Sequence, residues 1–129
     1  MTEWDYVTDL VVVGSGGGLC SAVVADVNGR EALVIEKTEC VGGSTALSGG
    51  VLWLPNNPLM QDEGVADSFE EAMEYFDAIV GDVGPASSRA RREAYVTEGI
   101  EMIRFLQGLG VRFVRCEGYS DYYADVAGI

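Results

Sequence analysis

An α/β fold is predicted for this chain, organised around a β-α-β unit at residues 8–36. Three observations predict it. A short β-branched run at 9–14 ends in a glycine-rich turn, a stretch of small and apolar residues follows at 19–27, and a second apolar run at 32–35 ends at Glu36. Strand, helix and strand within about 30 residues is the footprint of a right-handed crossover between parallel strands.

The run at 9–14 is nearly unbroken Leu and Val, the pattern of a parallel strand covered on both faces. The helix over 19–27 is stopped by Asn28 and Gly29, with glycine in the C-cap role. Residues 37–50 read as a loop in which Gly42, Gly43, Gly49 and Gly50 alternate with Ser44, Thr45 and Ser48. A short apolar segment at 51–54 leads into a Pro/Asn turn at 55–58. Ser68 starts a second helix, with Glu71 at capping-box spacing. Phe69, Ala72, Met73, Phe76, Ile79 and Val80 share its apolar face, and Gly81 ends it. A further helical stretch is expected over 86–107, divided by Gly99, and a strand over 111–114. The tail at 118–123 reads as an aromatic loop.

Composition narrows the function. The chain is 48 % apolar and 22 % charged, a globular profile, and carries a formal charge of −13. Such a surface repels nucleic acid and anionic membranes. No apolar run approaches the roughly 20 residues that span a bilayer, and the acidic N-terminus lacks a signal-peptide layout, so a cytoplasmic location is expected. The three cysteines are widely spaced and no histidine is present; neither a zinc site nor a disulfide framework is expected, and metal ligands are assigned to none. Cys20 reads as a small core residue, and Cys40 as a loop thiol with a possible reactive role.

The turn Gly14-Ser15-Gly16-Gly17-Gly18 carries the chemistry. A diphosphate has to approach backbone N–H groups at a helix N-terminus, and side chains there would collide with it. Gly14 permits the tight turn and Gly16 the close approach. The sixth position of the usual fingerprint, normally Gly or Ala for helix–strand packing, is Leu19 here. A structural glycine turn is the plainer alternative. Glu36 stands 20 residues beyond Gly16, where a carboxylate accepts ribose hydroxyls and repels a 2′-phosphate; its plainer alternative is a surface carboxylate. A Rossmann-like dinucleotide unit follows. The second Gly- and hydroxyl-rich loop favours FAD over NAD, because the flavin lies beyond the diphosphate and has to be met by backbone. Ser44 and Thr45 can bind phosphate or ribityl oxygens, and Gly49 and Gly50 let the chain run against the ring system. A flexible surface loop is the alternative.

Residues 12–18, Val34 to Lys37, Gly42 to Thr45, Ser48 to Gly50 and Leu52 to Asn57 resemble the flavoproteins related to fumarate reductase. Within that superfamily the chain resembles the 3-ketosteroid Δ1-dehydrogenases, on residues 53–57 and on Tyr119 to Tyr123. The resemblance implies a FAD-dependent oxidoreductase that removes a C2 proton and a C1 hydride from a 3-ketosteroid. It implies FAD contacts at Gly14, Ser15, Gly16, Gly17, Gly18, Glu36, Lys37, Gly43, Ser44, Thr45, Ser48, Gly49 and Gly50, with Tyr119 lining the steroid site and Tyr122 a catalytic and substrate-binding tyrosine. Plain aromatic packing is the alternative for both tyrosines. It also implies a much longer, two-domain flavoprotein, of which 1–129 is the N-terminal part: a nucleotide unit at 8–36, a flavin loop at 37–58, and helices with the start of the substrate region at 67–129. The remainder would be missing or carried by another chain. Two rival readings are a reductase of the fumarate or urocanate kind and a non-catalytic nucleotide-binding fragment.

Overall fold

The structure is a computed structural model that describes residues 3–119, 121–123 and 125–128. The chain divides into two compact units, Met1–Leu52 and Trp53–Ile129.

In the first unit, strands β1 (Leu10–Val13) and β2 (Ala32–Ile35) pair in parallel, Leu10 opposite Ala32 and Val13 opposite Ile35. Helix α1 (Gly18–Val27) connects them and packs on both. Asn28 caps its C-terminus, the side-chain amide donating to Val24 O at 2.7 Å. At the N-terminal edge of the pair, the Asp9 carboxylate accepts from Glu31 N–H at 3.0 Å. The expectation of a strand covered on both faces is corrected: Val12 is buried against the helix, whereas Val11, Val13 and Ile35 are exposed. Alternation places Val12 on the opposite face from Val11 and Val13, and among the described residues only the Val12 face is packed. Cys20 is likewise exposed, as are Cys40 and Cys116; α1 turns it away from the strands. The expected loop after β2 contains a one-turn helix, α2 (Gly43–Ala46).

The second unit is helical. The expected turn is present at Pro55–Asn56, and helix α3 (Pro58–Asp62) follows it: the Asn57 side chain accepts from Leu59 N–H and Met60 N–H, with Pro58 in the first turn. Helix α4 (Phe69–Ile79) begins at Ser68, whose hydroxyl accepts from Glu71 N–H at 3.1 Å and donates to the Glu71 carboxylate at 2.9 Å. After a 3₁₀ turn at Pro85–Ser87 comes α5 (Arg89–Gly108), which is unbroken. Gly99 does not divide it. That residue is buried, and a Cβ there would drive into the Leu54 side chain; the glycine sets a close approach instead of a break. Ala72, Met73 and Val96 form the core, with Phe69 and Phe76 against it. Trp53 packs beside Tyr75, Phe76 and Tyr95, with ring centroids 5.4, 5.6 and 6.5 Å away. Residues 111–114 form no strand; among the described residues of this unit there is no strand for them to pair with. No described helix is long and apolar enough to cross a membrane.

Candidate functional site

The first unit gathers its polar chemistry at the carboxyl ends of β1 and β2. Gly14 N–H still donates to Ile35 O at 2.7 Å, and the chain then turns with φ +91° at Gly14, a conformation open to glycine but costly for other residues. Helix α1 starts with Gly17 in the N-cap position and no side chain capping it. Its first-turn N–H groups, with the positive end of the helix dipole, are therefore free of side-chain competition for an anion.

Gly18, not residue 19, makes the close helix–strand contact. A Cβ at Gly18 would lie 2.5 Å from Val12 Cγ1, while Leu19 is exposed. The departure from the usual fingerprint at Leu19 therefore moves the packing glycine one position earlier and leaves the turn intact.

Glu36 faces this turn. One carboxylate oxygen, Oε2, accepts from Ser15 N–H at 3.0 Å and from the Ser15 hydroxyl; the other, Oε1, accepts from Lys37 N–H at 2.7 Å and Thr38 N–H at 3.2 Å. These bonds, the Ser15 hydroxyl first, hold the carboxyl at about 2, well below its ordinary 4.5. Ser15 is 1 % exposed. Its hydroxyl also accepts from Gly42 N–H at 2.7 Å, tying the loop after β2 to the turn. Gly16 lies beside the same loop, where a Cβ would sit 3.6 Å from Gly42 O and 3.7 Å from Thr45 Oγ1.

Of the residues singled out in the sequence, Gly14 to Gly18, Glu36, Gly43 and Thr45 thus meet in one place. Lys37 enters through its backbone. Ser48, Gly49 and Gly50 form a local turn further on: Ser48 Oγ donates to Thr45 O at 2.7 Å and accepts from Gly50 N–H at 3.1 Å. Ser44 is exposed on α2. Thr38 was not singled out, although a hydroxyl residue two positions beyond a strand-end carboxylate is a recognisable turn signal. The bare helix end can hold a diphosphate, and Glu36, ionised at neutral pH, can accept sugar hydroxyls. The residues present fit a dinucleotide of the FAD type.

The second unit holds the tyrosines. The Tyr119 and Tyr122 rings meet edge to face with centroids 6.0 Å apart, both exposed. A hydrogen bond to Tyr122 and desolvation push the Tyr119 phenol up from its ordinary value. Between them, Asp121 accepts from Tyr122 N–H at 2.6 Å and from the hydroxyl of Tyr75, which α4 buries to 1 % exposure. Burial and that bond raise Tyr75 to about 12. Tyr75 was missed in the sequence, since the pair is separated by 46 residues. Ser120 lies outside the described residues.

A parallel β-α-β unit with a bare glycine turn is the architecture of dinucleotide-binding proteins. Residues 9–127 match the FAD binding domain family, and the chain belongs to that family; its cofactor is FAD. The 3-oxosteroid 1-dehydrogenase of Mycolicibacterium smegmatis is 42 % identical over 130 residues, which covers 99 % of this chain and 22 % of the relative. The crystal structure of the 3-ketosteroid Δ1-dehydrogenase from Sterolibacterium denitrificans, in complex with 1,4-androstadiene-3,17-dione, superposes with a TM-score of 0.83 at 35 % identity, covering 94 % of this chain and 21 % of that one. Urocanate reductase from Eggerthella lenta is 45 % identical over 74 residues, 57 % of this chain and 12 % of the relative. The chain thus spans about a fifth of the length of the steroid dehydrogenases it matches.

Proposed function

We propose that this chain is the N-terminal, FAD-holding part of an oxidoreductase that 1,2-dehydrogenates a 3-ketosteroid. One observation carries the cofactor part: an ionised Glu36 fixed beside an uncapped helix N-terminus and the Gly42 loop. The 42 % identity to a 3-oxosteroid 1-dehydrogenase carries the substrate class. On this reading residues 8–36 are the nucleotide unit, 37–58 the flavin loop, and 67–129 the helices and the start of the substrate region. The main-chain amides at 14–18 hold the diphosphate, Glu36 the ribose, and Lys37, Gly43, Ser44, Thr45, Ser48, Gly49 and Gly50 line the path toward the flavin.

FAD, when bound, supplies a two-electron acceptor. The residues of this chain supply the rest of the local chemistry. Tyr119, whose phenol is held protonated, walls the steroid site and can donate a hydrogen bond. Tyr122 is a catalytic and substrate-binding tyrosine beside the ketone that acidifies the C2 proton, and the main base that takes this proton lies in the remainder of the enzyme. The remaining residues of the enzyme lie in further sequence or on a partner chain, and the location is cytoplasmic.

The test is anaerobic titration of the complete flavoenzyme with a 3-ketosteroid. Bleaching of the oxidised flavin band supports the proposal. Bleaching that requires a reductant and reverses only with a carboxylate acceptor would favour the urocanate-reductase type of reaction, which the 74-residue likeness supports. Binding of ADP with no gain from the flavin half would favour a non-catalytic nucleotide module.

A further inference from the structure

We propose that Ser15 is a positioning residue of the nucleotide cradle: its side chain does not ligate the cofactor but locks the ribose-side carboxylate of Glu36 and the flavin-side loop at Gly42 into one rigid frame. The proposal rests on the FAD reading above.

Three facts lead to it. Ser15 is 1 % exposed although it sits in the turn that meets the diphosphate, so its hydroxyl faces the protein. That hydroxyl is used in both directions, donating to Glu36 Oε2 and accepting from Gly42 N–H at 2.7 Å. Its partners lie 21 and 27 residues away and belong to the two segments that would grip opposite halves of a dinucleotide. A hydroxyl can do this because it is one donor and an acceptor at once; alanine offers neither, and cysteine only weakly. The Ser15 N–H bonds the same carboxylate oxygen at 3.0 Å, so Glu36 is gripped by backbone and side chain of one residue. Preorganisation of this kind raises affinity by removing the cost of ordering two loops on binding.

The experiment measures FAD and ADP dissociation constants for the wild-type chain, Ser15→Ala and Ser15→Thr, each across acidic to neutral pH. Charge-assisted hydrogen bonds set the scale, and Ser15→Ala should weaken FAD roughly tenfold or more. Its loss for FAD should exceed its loss for ADP, because the flavin-side loop loses its tie. Ser15→Thr, which keeps the hydroxyl, should recover most of the affinity. The acidic limb of FAD binding should move to higher pH in Ser15→Ala, since the first of the bonds holding Glu36 ionised is gone. A purely structural role would lower thermal stability while leaving the FAD-to-ADP ratio and the acidic limb where they were, and that result overturns the proposal. A readout without substitution covers the case of a variant that does not fold: in wild-type protein the Gly42 amide should exchange with solvent far more slowly than its exposed loop neighbours, and fast exchange overturns the proposal. A wild-type chain that binds neither FAD nor ADP defeats the FAD reading itself, a different failure from wild-type binding that Ser15→Ala leaves unchanged.

Discussion

Replacing Gly18 by alanine tests how closely α1 must approach β1 for the turn to keep its shape. The added methyl carbon would lie 2.5 Å from Val12 Cγ1. Carbon atoms pack at about 3.5–4.0 Å, so helix and strand have to part by roughly 1 Å. Val12 is 6 % exposed and cannot swing aside easily, because a β-branched side chain has few rotamers. Overpacking of this kind costs about 1–3 kcal/mol. Restricting the unfolded chain by Gly→Ala returns about 0.4–1 kcal/mol. The expected net loss is about 1–2 kcal/mol. With urea slopes of about 1–3 kcal/mol/M, the midpoint followed by far-ultraviolet circular dichroism should fall by roughly 0.5–1 M. Gly17→Ala is the internal control: its φ is −60° and nothing lies within 4 Å of the added carbon, so its midpoint should stay or rise. Val12→Ala combined with Gly18→Ala should show a favourable coupling of about 0.5–3 kcal/mol, as expected for groups in contact. Equal midpoints for Gly18→Ala and Gly17→Ala would show that the packing argument is wrong.

Other outcomes follow from the same contacts. Glu36 has a folded value of about 2 against an ordinary 4.5, so the stability it contributes is present above about 4.5 and is lost as pH falls toward 2; Glu36→Gln should remove that part of the acid dependence in urea melts. Tyr75 titrates at about 12 when folded against an ordinary 10.0. The folded state therefore holds its proton longer, and stability should fall as pH rises from about 10 to 12, a loss absent from Tyr75→Phe. That variant should also be about 1–3 kcal/mol less stable at neutral pH through the lost bond to Asp121, read as a lower thermal midpoint. In Gly99→Ala the helix gains about 1 kcal/mol of propensity but the methyl drives into Leu54; a net loss is expected, relieved when Leu54→Ala is added. Tyr122→Phe in the complete enzyme should lower kcat for a 3-ketosteroid while leaving the FAD dissociation constant unchanged.

The nucleotide unit could be read from the sequence because its signals are local. β2 spans the expected residues, and α1 begins one residue earlier than expected, at Gly18. The short helices α2 and α3 escaped because a single turn leaves no apolar periodicity, although Asn57 followed by Pro58 is a helix-start signal in its own right. Gly99 was misread as a break because glycine in a helix marks either a stop or a close neighbour, and only Leu54 distinguishes the two. The expected strand at 111–114 had the composition but no strand to pair with among the described residues. Cys20 lies in an apolar stretch, yet α1 is apolar on more than one side, with Leu19, Val23, Val24 and Val27 also exposed, so hydrophobicity could not say which side faced the sheet. Contacts across long sequence gaps, Ser15 to Gly42 and Tyr75 to Asp121, left no pattern at all.

The most direct measurement is a titration of the purified chain with FAD, followed by flavin fluorescence, with ADP as competitor and riboflavin as comparison. If backbone at the glycine turn holds the diphosphate and Glu36 the ribose, FAD binds one to one, ADP displaces it, and riboflavin, which has neither group, binds far more weakly. Riboflavin binding as tightly as FAD, or FAD that ADP cannot displace, would contradict the account.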